Sequence, residues 1–131
     1  MSESEPIAGA DALSHERYIN LATFRRDGRE VRTPVWFVAL DRRLYCFSAG
    51  NAGKVKRIRA NGRARIAACD MRGTTAGRWF EGTASGVTDI ALVEQVYAGL
   101  RRKYGWQMYI GDFFARLSGR YQRRAVLEIR A

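Results

Sequence analysis

The chain has 131 residues, 47% of them apolar, which suits one compact domain with its own core and excludes a disordered polypeptide. No apolar run approaches the roughly 18 residues that span a bilayer, and Met1–Ala12 lacks a basic region followed by a long apolar stretch, so a cytoplasmic protein is expected. Twenty Arg and three Lys give a net charge of +10, which asks for an anionic partner. Residues 1–10 read as a flexible N-terminal tail and 11–131 as a single domain. Asp11 or Ser14 caps a short helix running to Tyr18. Ile19–Arg25 alternates as a strand, and Asp27-Gly28 predicts a hairpin, because Gly adopts positive φ at no steric cost. Glu30–Leu40 is a second strand, with Val31, Thr33, Val35, Phe37 and Ala39 on one face and Arg32, Pro34, Trp36 and Val38 on the other. Pro34 cannot donate to a ladder, so this strand lies at an edge or is bulged there.

Asp41-Arg42 turns the chain into a third strand, Arg43–Ser48. A helix from Lys54 to Asn61 buries Val55 and Ile58, and Asn61-Gly62 ends it. Ala64–Cys69 is a strand and Asp70–Gly77 a loop. Arg78–Thr88 is a long strand whose Gly82 and Gly86 mark bends or close approach. Thr88 or Asp89 caps a helix to Tyr104, built on Ile90, Val93, Val96, Tyr97 and Leu100. A further amphipathic helix follows from Trp106 through Leu117, and Arg123–Arg130 closes the chain as a strand. Six strands, four helices and tight turns between the first strands suit a small closed antiparallel barrel with helices outside.

Few residues here carry acid–base or metal chemistry. His15 is the one histidine. Cys46 and Cys69 sit inside strands without metal-ligand spacing, so two buried, inert thiols are expected. Hydrolytic triads and zinc sites have little to build on. What stands out is a strand ending in small residues, Ser48-Ala49-Gly50, that leads into a helix headed by Lys54, Lys56 and Arg57. Such a unit is an anion cradle. The arginines are scattered through the chain, so one polyanionic small molecule fits the charge as well as nucleic acid does.

Ile19-Asn20-Leu21-Ala22-Thr23, Asp27-Gly28-Arg29, Thr33-Pro34-Val35-Trp36, the Lys54–Asn61 helix and Glu81-Gly82-Thr83-Ala84 occur in an order that resembles the pyridoxamine-phosphate-oxidase-like flavin split-barrel superfamily. Within it the chain is most similar to the branch of F-420-dependent enzymes. The resemblance implies a mainly β fold with α, namely a six-stranded antiparallel split β-barrel with flanking helices. It also implies a homodimer with cofactor sites at the interface, and bound coenzyme F-420 (a deazaflavin) or FMN. Thr33, Pro34, Val35 and Trp36 fall where the family lines the flavin or deazaflavin ring. Ser48, Ala49 and Gly50 fall near the ribityl and phosphate. Lys54 matches the phosphate-binding lysine, and Lys56 takes the place of a second basic residue. The C-terminal Gln122–Ala131 lacks the basic and His set that reads pyridoxal phosphate.

The function this implies is an oxidoreductase that transfers hydride between F-420, favoured over FMN, and a small organic substrate. The cofactor performs the chemistry and the protein orients it. Lys54, Lys56, Arg57 and Arg59 are available for charge-assisted contacts to its anionic groups. Two alternatives stay open: a non-catalytic flavin or deazaflavin carrier, and a basic nucleic-acid-binding barrel. The latter needs interleaved basic and aromatic residues on an exposed sheet face, for which Arg43–Ser48, with Tyr45 and Phe47, is the one weak choice.

Overall fold

The computed structural model describes residues 9–49, 53–105, 107 and 124–131. Along the chain these form α1 (Gly9–Leu13), β1 (Tyr18–Phe24), β2 (Glu30–Val35), β3 (Phe37–Leu40), β4 (Arg43–Ala49), α2 (Gly53–Asn61), β5 (Arg63–Cys69), β6 (Thr75–Val87), α3 (Ile90–Tyr104) and β7 (Arg124–Arg130). Gly50 and the run from Trp106 through Leu117, apart from Gln107, lie outside the described residues.

The strands make one antiparallel sheet of seven in the order β2-β1-β5-β6-β7-β4-β3. The expected count of six differs because Glu30–Leu40 is two strands broken at Trp36. Val35 pairs with Ile19 of β1, while Phe37 pairs with Cys46 of β4. The two halves of one run thus form the two edges of the sheet, which coils round its core without a closing ladder. The expected closed barrel is therefore open at this seam. Tyr104 from α3 supplies what a neighbouring strand would have supplied. Its hydroxyl accepts the Phe37 N–H at 2.9 Å and lies 3.1 Å from the Phe37 carbonyl. The ring of Tyr104 stacks on Trp36 with centroids 4.5 Å apart. Pro34, which has no N–H, sits on the β2 edge as expected.

The alternation of faces survives the break and sorts the apolar residues into two cores. Val35 and Phe37 join Ile19, Leu21, Leu44 and Ile66 in the inner core, capped by Val55 and Ile58 of α2. Val38, Tyr45 and Val126 form the outer core under Val96, Leu100 and Tyr104 of α3. Each fully buried aliphatic side chain contributes roughly 1.5–3 kcal/mol. α3 begins where Asp89 accepts the Ala91 N–H at 3.0 Å, so Asp89 is the cap.

Several boundaries shift for tertiary reasons. The first helix starts at Gly9, earlier than Asp11, and ends at Leu13. Ala10 and Leu13 are buried, and Gly9 lies so close to Phe80 that a side-chain carbon would sit 2.9 Å from it. β6 begins at Thr75, inside the expected loop, because Cys69 and Ala68 of β5 pair with Thr75 and Ala76. Gly82 is the glycine of close approach, since a Cβ there would collide with the Arg130 carbonyl and Ala131. Gly86 has open space around it and makes no such approach. The Asp27-Gly28 turn forms as expected, with Gly28 at φ 89° and its N–H donating to the Arg25 carbonyl at 2.9 Å.

Candidate functional site

β4 delivers the chain from Ser48 and Ala49 into α2, whose first turn holds Lys54 and no acidic residue. Ser48 is buried, on the face that Cys46 and Leu44 turn to the inner core. Lys54 is half-buried within electrostatic reach of Cys46. Among the described residues no carboxylate pairs with it. Burial pushes its pKa below the ordinary lysine range, and the charge of Arg57 adds to the shift while Cys46 opposes it. A cation at the positive end of a helix also opposes the helix dipole. Desolvation, a like charge and the dipole all disfavour this ammonium, and a bound anion would relieve all three.

Thr33 to Trp36 do not share a surface. Val35 is buried in the inner core, and Thr33 beside it is half-buried. Pro34 is exposed, and the Asp70–Thr74 turn lies over it: the Cβ position of Gly73 is 3.6 Å from the Pro34 ring. Trp36 is half-buried on the outer face against Tyr104. Asn20, directly across from Pro34, is buried and donates to the Gly73 carbonyl at 2.9 Å. Its Oδ1 has no donor among the described residues. In the sequence Asn20 stands only within the Ile19–Thr23 strand, and no local signal marks this unpaired acceptor.

Lys54 and Lys56 do not work as a pair. Residues i and i+2 project from different sides of a helix, and Lys56 is exposed on the side away from Val55 and Ile58. There it meets a cluster that the sequence did not show. Arg57 reaches across to β1, where its Nε donates to the Thr23 hydroxyl at 2.7 Å. Arg25 and Arg26 come in from the β1–β2 turn. Together these four cations wall a recess of about 470 Å³ floored by Phe24, Gly53 and Ala60. The sequence signal was available in part: Gly53, Lys56, Arg57 and Ala60 recur at the 3, 4 and 7 spacing of one helix face. Only the fold brings Arg25 and Arg26 beside them. Arg59 is exposed and does not line the recess.

Other sequence expectations separate in the same way. Tyr45 is buried and bonds to Glu128 at 3.1 Å, and Phe47 packs on Tyr97 of α3 with centroids 5.8 Å apart. The Arg43–Ser48 strand therefore offers no exposed stacking platform for bases. Cys46 is fully buried, and burial pushes its thiol up to about 12, as an inert core residue requires. Cys69 is only half-buried, which corrects the expectation of two sealed thiols. His15 is exposed in the turn after α1, and no group of His, Cys, Asp and Glu among the described residues could hold a metal. Two guanidinium groups lie over the Trp79 ring, Arg32 at 4.6 Å and Arg65 at 4.9 Å from its centre. No helix of the described residues is long and apolar enough to cross a membrane.

The model of the family described as Pyridoxamine 5'-phosphate oxidase matches residues 8–131, so the chain belongs to that family. Solved structures agree on the fold. The conserved hypothetical protein Rv2991 of Mycobacterium tuberculosis is 22% identical, with a TM-score of 0.68 over 98% of this chain and 79% of its own. HutZ, the heme storage protein of Vibrio cholerae, is 19% identical, with a TM-score of 0.65 over 88% of this chain and 82% of its own. A FAD-binding protein of Mesorhizobium loti is 20% identical, with a TM-score of 0.61 over 90% of this chain and 81% of its own. At these identities the likeness is one of fold. No curated protein matches the chain.

Proposed function

We propose that this protein is an oxidoreductase that holds coenzyme F-420, or alternatively FMN, and passes hydride between it and a small organic substrate. The observation that carries this reading is Lys54: a half-buried cation in the first turn of α2, with no carboxylate partner among the described residues. Lys54 holds the cofactor's phosphate, with Ser48 and Ala49 at the adjoining end of β4; Gly50, the next residue in sequence, is assigned to the same group. The edge segment Thr33–Trp36 carries the ring through its backbone, because the one strand position without an N–H is Pro34 and the seam at Trp36 interrupts the ladder. The bound cofactor supplies the hydride chemistry. The chain's own part is to fix the anionic end and to exclude water beside the stacked Trp36 and Tyr104. F-420 is preferred for its more anionic arm, which suits the +10 charge. A homodimer with the cofactor at its interface belongs to this reading, and light scattering of the purified protein tests it.

Fluorescence titration with F-420 and with FMN tests the main claim. The expected result is micromolar binding that Lys54→Ala weakens about ten- to hundredfold, the range of one charge-assisted contact. If neither cofactor binds at micromolar concentration, the reading is wrong. A second reading, a carrier that binds without turnover, is favoured by two observations. HutZ, of similar fold, is described as a heme storage protein, and Cys46 is sealed in the core while His15 stands exposed in a distant turn. Tight binding with no oxidation of the reduced cofactor by any acceptor would support the carrier.

A further inference from the structure

The recess between α2 and the β1–β2 turn is a concentration of positive charge without compensation. Arg25, Arg26 and Lys56 are exposed at its walls, and Arg57 is half-buried. Among the described residues none of the four pairs with a carboxylate, although most arginines of the described strands do, such as Arg32 and Arg65 with Glu30. Arg57 is held in place rather than free to swing. Its Nε is tied to Thr23, a buried residue of β1, at 2.7 Å. Its guanidinium then lies against Gly53: a Cβ there would stand 2.7 Å from Nη1. A side chain at position 53 would thus displace the fork. With Nε used, Nη1 and Nη2 have no acceptor in the protein among the described residues. Two donors in a fixed plane, flanked by three more cations, match the geometry of a phosphoryl or carboxylate group. Burial, and to a lesser degree the neighbouring Arg25, also lower the Arg57 pKa.

We propose that Arg25, Arg26, Lys56 and Arg57 form a binding site for a multiply charged oxyanion of the phosphoryl type, separate from Lys54. Lys56 and Arg57 stand on one face of α2 with Gly53, whereas Lys54 turns toward Cys46. The oxyanion is supplied either by a free small molecule or by the anionic arm of a cofactor bound at Lys54. The pocket itself does not depend on the cofactor reading.

Inorganic pyrophosphate is the probe, titrated calorimetrically into the full-length protein at low salt. The expected result is saturable binding of one pyrophosphate per chain. The double substitution Arg25→Gln with Arg26→Gln weakens it about tenfold or more, as loss of charge-assisted contacts requires. The same loss appears when the pair is introduced into a Lys54→Ala background, and the charge-matched control Arg78→Gln with Arg102→Gln leaves the affinity unchanged. In amide spectra the shifts centre on Phe24 and Gly53. The proposal is overturned if the wild type shows no saturable binding at millimolar pyrophosphate. It is overturned equally if the control pair loses as much affinity as the Arg25 and Arg26 pair, for then net charge alone attracts the anion. Repeating the titration with F-420 or FMN at saturation separates the two sources. Competition assigns the pocket to the cofactor's arm, and undiminished pyrophosphate binding assigns it to a free anion. Failure of cofactor binding with pyrophosphate binding intact would remove the oxidoreductase reading and leave this site standing.

Discussion

Lys103 places its ammonium 3.3 Å from the centre of the Phe37 ring, and this Nζ has no hydrogen-bond partner among the described residues. The ring face attracts the cation, but burial lowers its pKa from 10.5 to about 8, with Arg17 adding to the shift and Glu16 opposing it. The folded pKa lies below the unfolded one, so between these two values the unfolded chain binds more protons. Stability linked to Lys103 therefore grows as pH rises from about 8 toward 10.5 and is lost as pH falls through about 8. Cys46 and Tyr104, whose pKa values burial raises from 9.0 and 10.0 to about 12, act in the opposite sense at the alkaline end. The comparison with Lys103→Met isolates the lysine. Its melting temperature should exceed that of the wild type most at neutral pH, and the gap should close toward pH 10. A gap independent of pH would show that the charge is not the cause. At this scale Lys54 was legible in the sequence, because a lysine heading a helix after a strand of small residues is a local pattern. Lys103 was not, since its burial is set by the sheet to which α3 docks.

The hinge between β2 and β3 is where two elements depend on a third. Pro34 marked this run as an edge, because a missing N–H is visible in the sequence. The break itself depends on Tyr104, 67 residues from Phe37 in the chain. Its hydroxyl accepts the Phe37 N–H and has one proton to share between the Arg17 carbonyl at 2.8 Å and the Phe37 carbonyl at 3.1 Å. Tyr104→Phe keeps the stack on Trp36 and strands a buried N–H. The expected loss is about 1–3 kcal/mol of unfolding free energy, read from urea unfolding with an unchanged m-value. A loss below about 0.5 kcal/mol would mean that water replaces the hydroxyl. The α1 boundary follows the same logic: Gly9 is helical because Phe80 and Ala131 cover it, against its own low helix propensity.

For the molecule as a whole, the +10 charge on 131 residues is the dominant long-range term. Several ion pairs among the described residues are exposed on both sides, like Arg42 with Asp11 at 3.3 Å, and contribute little each. Self-repulsion outweighs them, so sodium chloride should raise the melting temperature by screening it. A fall with added salt would mean that the pairs, rather than the repulsion, dominate. The class of fold and most of its strands are written in local terms: alternation, the Asp27-Gly28 turn, a cap at Thr88 or Asp89, Pro34 at an edge or bulge and Lys54 at a helix head. These depend on residues a few positions apart. The tertiary structure alone decided that one strand becomes two edges, that Tyr45 and Phe47 lie under α3, and that Arg25 and Arg26 meet Lys56 and Arg57. Those contacts join residues tens of positions apart, and their energies come from burial and from charges brought together, which no local pattern records.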